Sequence, residues 1–113
     1  MITLWHNPRC SKSRQTLALI EDAGVTVTLR RYLDDAPSRD EIVAARDALR
    51  LRAVEMMRTG EKVFKDLGLS NDSSEDTLLD AMAAHPILIE RPIAFRDTRA
   101  VIGRPPEAVQ VLL

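Results

Sequence analysis

The chain has 113 residues, 45% of them hydrophobic and 29% charged, with a formal net charge of −1 and a single cysteine. This composition suits one folded domain over residues 1–113 with its own hydrophobic core, and it excludes a disordered chain or a disulfide scaffold. The near-zero charge gives no electrostatic case for a nucleic-acid or membrane partner, and no apolar run approaches the ~20 residues of a membrane span.

Residues 2–6 alternate, with Ile2, Leu4 and His6 on one face of a short strand that Asn7-Pro8 breaks. From about Ser11 to Ala23 the period becomes helical. Leu17, Ile20 and Gly24 share a face, and Gly24 reads as the C-terminal stop. Alternation returns from Val25 to Tyr32, with Val25, Val27 and Leu29 on one side. Strand, helix and strand in this order predict a right-handed parallel crossover.

Asp34-Asp35-Ala36-Pro37 is a turn. Ser38 followed by Glu41 is a capping box, which starts a helix at Arg39 that runs to about Leu49 and buries Ile42, Ala45 and Leu49. A short helix is predicted over 53–58, one or two turns over 61–70, and a helix after Ser74 that buries Leu78, Leu79 and Met82 until His85-Pro86 closes it. Two short strands follow, Ile93–Phe95 and Ala100–Ile102, around a polar turn. Pro105-Pro106-Glu107 then starts a last helix holding Val109, Leu112 and Leu113. The order βαβ, helical middle, ββα predicts a thioredoxin-like α/β fold, with a mixed sheet and a helical insertion.

Cys10 stands where the first strand hands over to the first helix. A lone cysteine is most often a small buried hydrophobe. The polar, cationic loop His6-Asn7-Pro8-Arg9-Cys10-Ser11-Lys12-Ser13-Arg14 is instead a setting for a reactive thiolate. Free N–H groups at a helix start attract anions, and Arg9, Lys12, Arg14 and His6 add positive or hydrogen-bonding groups. Ser11 and Ser13 can donate hydroxyls to an oxyanion. Ser13 also occupies the place of a resolving cysteine in a two-cysteine redox motif, so turnover through Cys10 needs an external thiol. One cysteine fits a reducing, cytoplasmic setting. The two histidines and one cysteine lack zinc spacing.

The segment HNPRCSKSRQTL, with Tyr32-Leu33, Met56-Met57-Arg58, Leu67-Gly68-Leu69, His85–Ile93 (HPILIERPI) and Gly103–Glu107 (GRPPE), resembles the glutaredoxin-dependent arsenate reductase family along essentially the whole chain. The resemblance implies an oxidoreductase of arsenic detoxification. Cys10 would attack arsenate, glutathione and glutaredoxin would act as external reductants with no bound cofactor, and arsenite would leave. It puts the oxyanion-binding arginines at Arg58, Arg91 and Arg104 and the histidine that assists the thiolate at His6. Asn7, Ser13 and Arg14 support the loop, and Pro92 is expected to be cis. Arsenate reductases of the best-known form have Gly-Thr after the cysteine; Ser11-Lys12 here matches a CSKS-type subgroup. Two other readings stay open: a glutathione-dependent thiol–disulfide oxidoreductase, and a binding module like the Spx-type regulators that contact RNA polymerase.

Overall fold

The computed structural model describes all residues from Met1 to Leu113. The chain forms two compact units, one from Met1–Asp35 with Arg91–Leu113 and one from Ala36–Glu90. The first holds four strands, β1 (Ile2–Trp5), β2 (Val27–Arg30), β3 (Ile93–Arg96) and β4 (Arg99–Ile102), and the helix α1 (Ser11–Asp22). The sheet order is β2-β1-β3-β4. β1 runs parallel to β2, with Leu4 opposite Leu29, and antiparallel to β3, with Leu4 opposite Ala94. This is the thioredoxin-like mixed sheet expected from the element order.

β1 is flanked by β2 and β3, and it is buried more fully than simple alternation implies. Ile2 and Leu4 are buried on one face, and Trp5 is buried on the other, where its ring sits 4.9 Å from that of Phe95. Cover on both faces of β1 overrides the period of two. β2 starts two residues later than expected because Val25 is used to end α1. The N–H groups of Gly24 and Val25 return to the carbonyls of Glu21 and Ile20, and Gly24 has φ +75°. That paired return is a Schellman motif, and its left-handed residue favours glycine. β2 is an edge strand, and Leu29 on it is exposed.

Ile2, Leu4, Ile20, Ala94, Val109 and Leu112 form one cluster between the sheet, α1 and the C-terminal segment. That segment, Pro106–Leu112, is a 3₁₀ helix and not the expected α-helix. A three-residue turn lines up Pro106, Val109 and Leu112, and all three are buried. Leu113 falls outside this row and is exposed.

The second unit contains α2 (Arg39–Leu49), α3 (Lys62–Asp66) and α4 (Glu75–Ala84), with 3₁₀ turns at Ala53–Met56 and Pro86–Leu88. The capping box is formed: the Glu41 N–H donates to Ser38 Oγ at 3.1 Å, and the Ser38 N–H donates to Glu41 Oε1 at 3.0 Å. Ile42 and Ala45 are buried on α2, while Leu49 in its last turn is only half-buried. Ser74 caps α4, which packs on α2, and Arg39 ties the two helices through Asp76 and Asp80. The short helix predicted to reach residue 58 stops at Met56. Met57 instead pairs with Ile89 in an antiparallel bridge, because the Arg58 and Glu90 N–H groups are taken by the carbonyls of Leu88 and Met56. No helix is long and apolar enough to cross a membrane.

Candidate active site

Cys10 is the N-cap of α1, with extended φ −96° and ψ 123°. The preceding turn is built by Asn7. Its carbonyl accepts the Cys10 N–H at 3.0 Å, and its Oδ1 accepts the Arg9 N–H at 3.0 Å. Arg14 reaches back from α1 to donate to the Pro8 carbonyl at 2.9 Å. Cys10 is thus held half-exposed at the mouth of the helix, although its sulfur makes no side-chain cap hydrogen bond of ordinary geometry.

Burial alone would push the Cys10 thiol up. The backbone N–H of Ser13, the Arg91 side chain, the backbone N–H of Lys12 and the charge of Arg91 together outweigh it, and the thiol lies below its ordinary value. These are the donors expected at a helix start: N–H groups without intrahelical partners, facing the end of the helix dipole that attracts negative charge. The side-chain charges of Arg9, Lys12 and Arg14 are not among these causes. The cation that matters comes from the other end of the chain.

Arg91 precedes β3 and is joined to Pro92 by a cis peptide bond, as expected. Burial opposes its charge, but Cys10 and Tyr32 more than compensate, so the guanidinium is held more firmly protonated than usual. Its Nε is buried and has no hydrogen-bond partner. A buried guanidinium donor without an acceptor is costly and is relieved by an anion. Arg104, also joined to its following proline in cis, donates through Nη1 to the Arg91 carbonyl at 3.1 Å. Its side chain is exposed beside the same backbone. Cys10, Arg91 and Arg104 therefore share the first unit. Arg58 belongs to the second, where it is half-buried between Glu61 at 2.9 Å and Glu90 at 3.4 Å.

His6 does not act as a neighbouring cation. Desolvation, then the charges of Arg31 and Arg14, lower its pKa, which leaves the ring neutral at pH 7. It is 4% exposed and its Nδ1 lies 2.6 Å from Ser13 Oγ. Ser13 is fully buried and also accepts the Asn7 N–H at 3.1 Å. The His6–Ser13–Asn7 set thus fixes the first turn of α1, and with it the Ser13 N–H that faces Cys10. His6 is not among the groups that lower the Cys10 thiol.

Three contributors were not singled out from sequence. Tyr32 is fully buried and helps hold the charge of Arg91. Thr16 is fully buried and donates to the Lys12 carbonyl at 2.8 Å and the Gly103 carbonyl at 3.4 Å. Gly103 packs so closely that a Cβ there would lie 2.5 Å from Thr16 Oγ1 and 2.9 Å from Pro92 Cγ. Its glycine identity was the one available signal, and only the packing gives it meaning. No group of three or more His, Cys, Asp or Glu side chains could hold a metal ion.

A parallel βαβ start, an antiparallel ββ end, a cysteine at the α1 N-cap and a proline in cis before β3 define a thioredoxin-like protein whose site has one thiol faced by a half-buried arginine. Residues 5–112 match the ArsC family model, and the chain belongs to the ArsC family. It is 41% identical to an arsenate reductase of Neisseria meningitidis serogroup A, over 99% of this chain and 97% of that protein. It is 42% identical to an arsenate reductase of Haemophilus influenzae, over 99% and 98%. The solved arsenate reductase from Vibrio cholerae superposes with a TM-score of 0.94 at 45% identity, covering 99% of this chain and 97% of that one.

Proposed function

We propose that the protein is an arsenate reductase of the CSKS type, in which the Cys10 thiolate attacks arsenate and external thiols complete the reduction. The observation that carries this reading is the pairing of Cys10 with Arg91 at the start of α1. It combines a nucleophile kept below its ordinary pKa with a buried, undersatisfied anion donor. The names of the relatives supply the substrate.

In this reading arsenate binds with its oxygens toward Arg91, Arg104 and the free N–H groups of α1. The family resemblance names Arg58 as a further oxyanion arginine. Cys10 Sγ displaces one arsenate oxygen, which leaves as water, and a sulfur–arsenic(V) bond forms. Glutathione then adds its sulfur, and glutaredoxin takes the glutathione away. Two electrons pass from the external thiols to arsenic and the thiols end as a disulfide; water then hydrolyses the remaining Sγ–As(III) bond, which releases arsenite and restores the Cys10 thiol. The arginines stabilise charge on the oxygens while the bond forms. Single-thiol chemistry of this kind needs a reducing compartment, which puts the protein in the cytoplasm.

The test is arsenite formation by purified protein with arsenate, glutathione and glutaredoxin, with Cys10→Ser as control. Activity that needs Cys10 and both thiol components supports the reading. A protein that forms no arsenite under these conditions is not an arsenate reductase of this type.

A further inference from the structure

A recess lies between the Cys10 loop and the segment after β2, within the first unit. Its volume is about 300 Å³. That is the small end of the roughly 300–1,000 Å³ range of small-molecule sites. One wall is the segment His6–Arg9, which runs directly into Cys10, and the other is Arg31, Leu33 and Asp34 beyond the end of β2. No acidic side chain pairs with Arg9 or Arg31, and no basic one pairs with Asp34. Two cations are therefore held around one cavity without counter-ions of their own. Arg31 lies near enough to His6 to lower its pKa. Leu33 is 43% exposed at the same place and gives the recess an apolar patch.

Two unpaired guanidiniums and one carboxylate are the complement of a ligand with two carboxylates and one ammonium. We propose that this recess binds the external thiol substrate, a small peptide thiol of that charge pattern, with its carboxylates at Arg9 and Arg31 and its ammonium at Asp34. The identity of that thiol as glutathione rests on the proposed function; the site itself rests on the charges and the cavity. Arg9 is the residue before Cys10, and adjacent Cα atoms are about 3.8 Å apart. A ligand seated against Arg9 thus sits beside the loop that carries Cys10. Arg91 would serve the oxyanion and Arg31 the thiol, so the two substrates approach Cys10 through different cations.

The proposal is tested without arsenate. Cys10 thiolate attacks one sulfur of a disulfide, the Sγ–S bond forms, the S–S bond breaks, and one thiolate leaves with the electron pair. The rate of this mixed-disulfide formation is followed by mass spectrometry with oxidised glutathione and, separately, with the uncharged bis(2-hydroxyethyl) disulfide. Taking the ratio of the two rates cancels any change in the thiolate fraction of Cys10. Arg31→Glu should lower that ratio about tenfold and Arg31→Ala by less, since charge reversal adds repulsion to the lost attraction. Raising the salt concentration should lower the wild-type ratio and leave the Arg31→Glu ratio nearly flat. As a binding readout, titration with S-methylglutathione should shift the backbone NMR signals of Arg31, Leu33 and Asp34. An unchanged ratio in Arg31→Glu, or shifts that miss these residues, overturns the proposal. These readouts stand even if no arsenite is ever formed, and a failure of the arsenate assay leaves them intact.

Discussion

The Nδ1 of His6 and the Oγ of Ser13 lie 2.6 Å apart, both side chains out of solvent, one at the end of β1 and the other in the first turn of α1. This contact ties strand to helix across the loop that carries Cys10. Ser13→Ala would leave a buried ring nitrogen and the Asn7 N–H without their partner. A lost buried hydrogen bond of this kind costs about 1–3 kcal/mol. Urea denaturation should show a loss in that range. Because Ser13 acts on Cys10 through its backbone N–H, the Cys10 titration should move less than in Arg91→Ala.

Arg91 is the cation that answers the Cys10 thiolate. The rate of iodoacetamide alkylation against pH should show a midpoint below the ~8.5 of a free thiol. In Arg91→Ala the midpoint should rise, because burial continues to disfavour the thiolate and a main opposing effect is gone. Arg91→Lys should fall between the two, since it restores charge without the planar fork. If Arg91 also holds the oxyanion, kcat/KM for arsenate should drop by about 10²-fold or more in Arg91→Ala. A midpoint that does not move on Arg91→Ala would contradict the pairing.

His6 sets a pH dependence of stability. Its folded pKa is below the ordinary histidine value of 6.5, so the unfolded chain binds the extra proton first as the pH falls. Stability from this group is therefore complete above 6.5 and is lost as the pH drops toward the folded pKa. Denaturation midpoints measured between pH 7.5 and 5 should decline on the acid side. His6→Asn, which cannot titrate and keeps a polar atom toward Ser13, should flatten that decline. An equal slope in the variant would assign the effect to other groups.

Gly103 sits against Thr16 and Pro92, with no room for a side chain. Gly103→Ala should cost about 1–3 kcal/mol, the usual penalty of overpacking. Adding Thr16→Ser removes the methyl group, which lies 3.0 Å from the built Cβ, but leaves the closer hydroxyl. Thr16→Ala removes the hydroxyl as well. Gly103→Ala combined with Thr16→Ala should thus recover more stability than the Ser combination. A double-mutant cycle with no coupling would mean that the backbone moves freely at this junction.

The elements themselves were legible in the sequence because their signals are local. Ser38 and Glu41 mark a helix start by the spacing of two hydrogen bonds. Gly24 marks a helix end through the backbone angle that it permits. Local signals failed where a neighbouring element decided the outcome. Val25 looked like strand but closes α1, and alternation put Ile2, Leu4 and His6 on one face of β1, while Trp5 on the other face is buried too. The last helix reads by composition as α, while its burial every third residue follows the surface it packs on.

The same division runs through the site. By itself the sequence determined that Cys10 is the one thiol, that it stands at a helix start and that Ser13 leaves it without a resolving partner. These depend only on residue order and local geometry. Tertiary structure alone decided which positive charge reaches the sulfur. Arg9, Lys12 and Arg14 are its neighbours along the chain, but Arg91, eighty-one positions away by residue number, faces it because β3 lies beside β1 in the sheet. It also decided that His6 is neutral, since burial and two arginines outweigh any charge that the loop composition suggests. Electrostatic roles follow distance and solvent access, and the folded chain sets both.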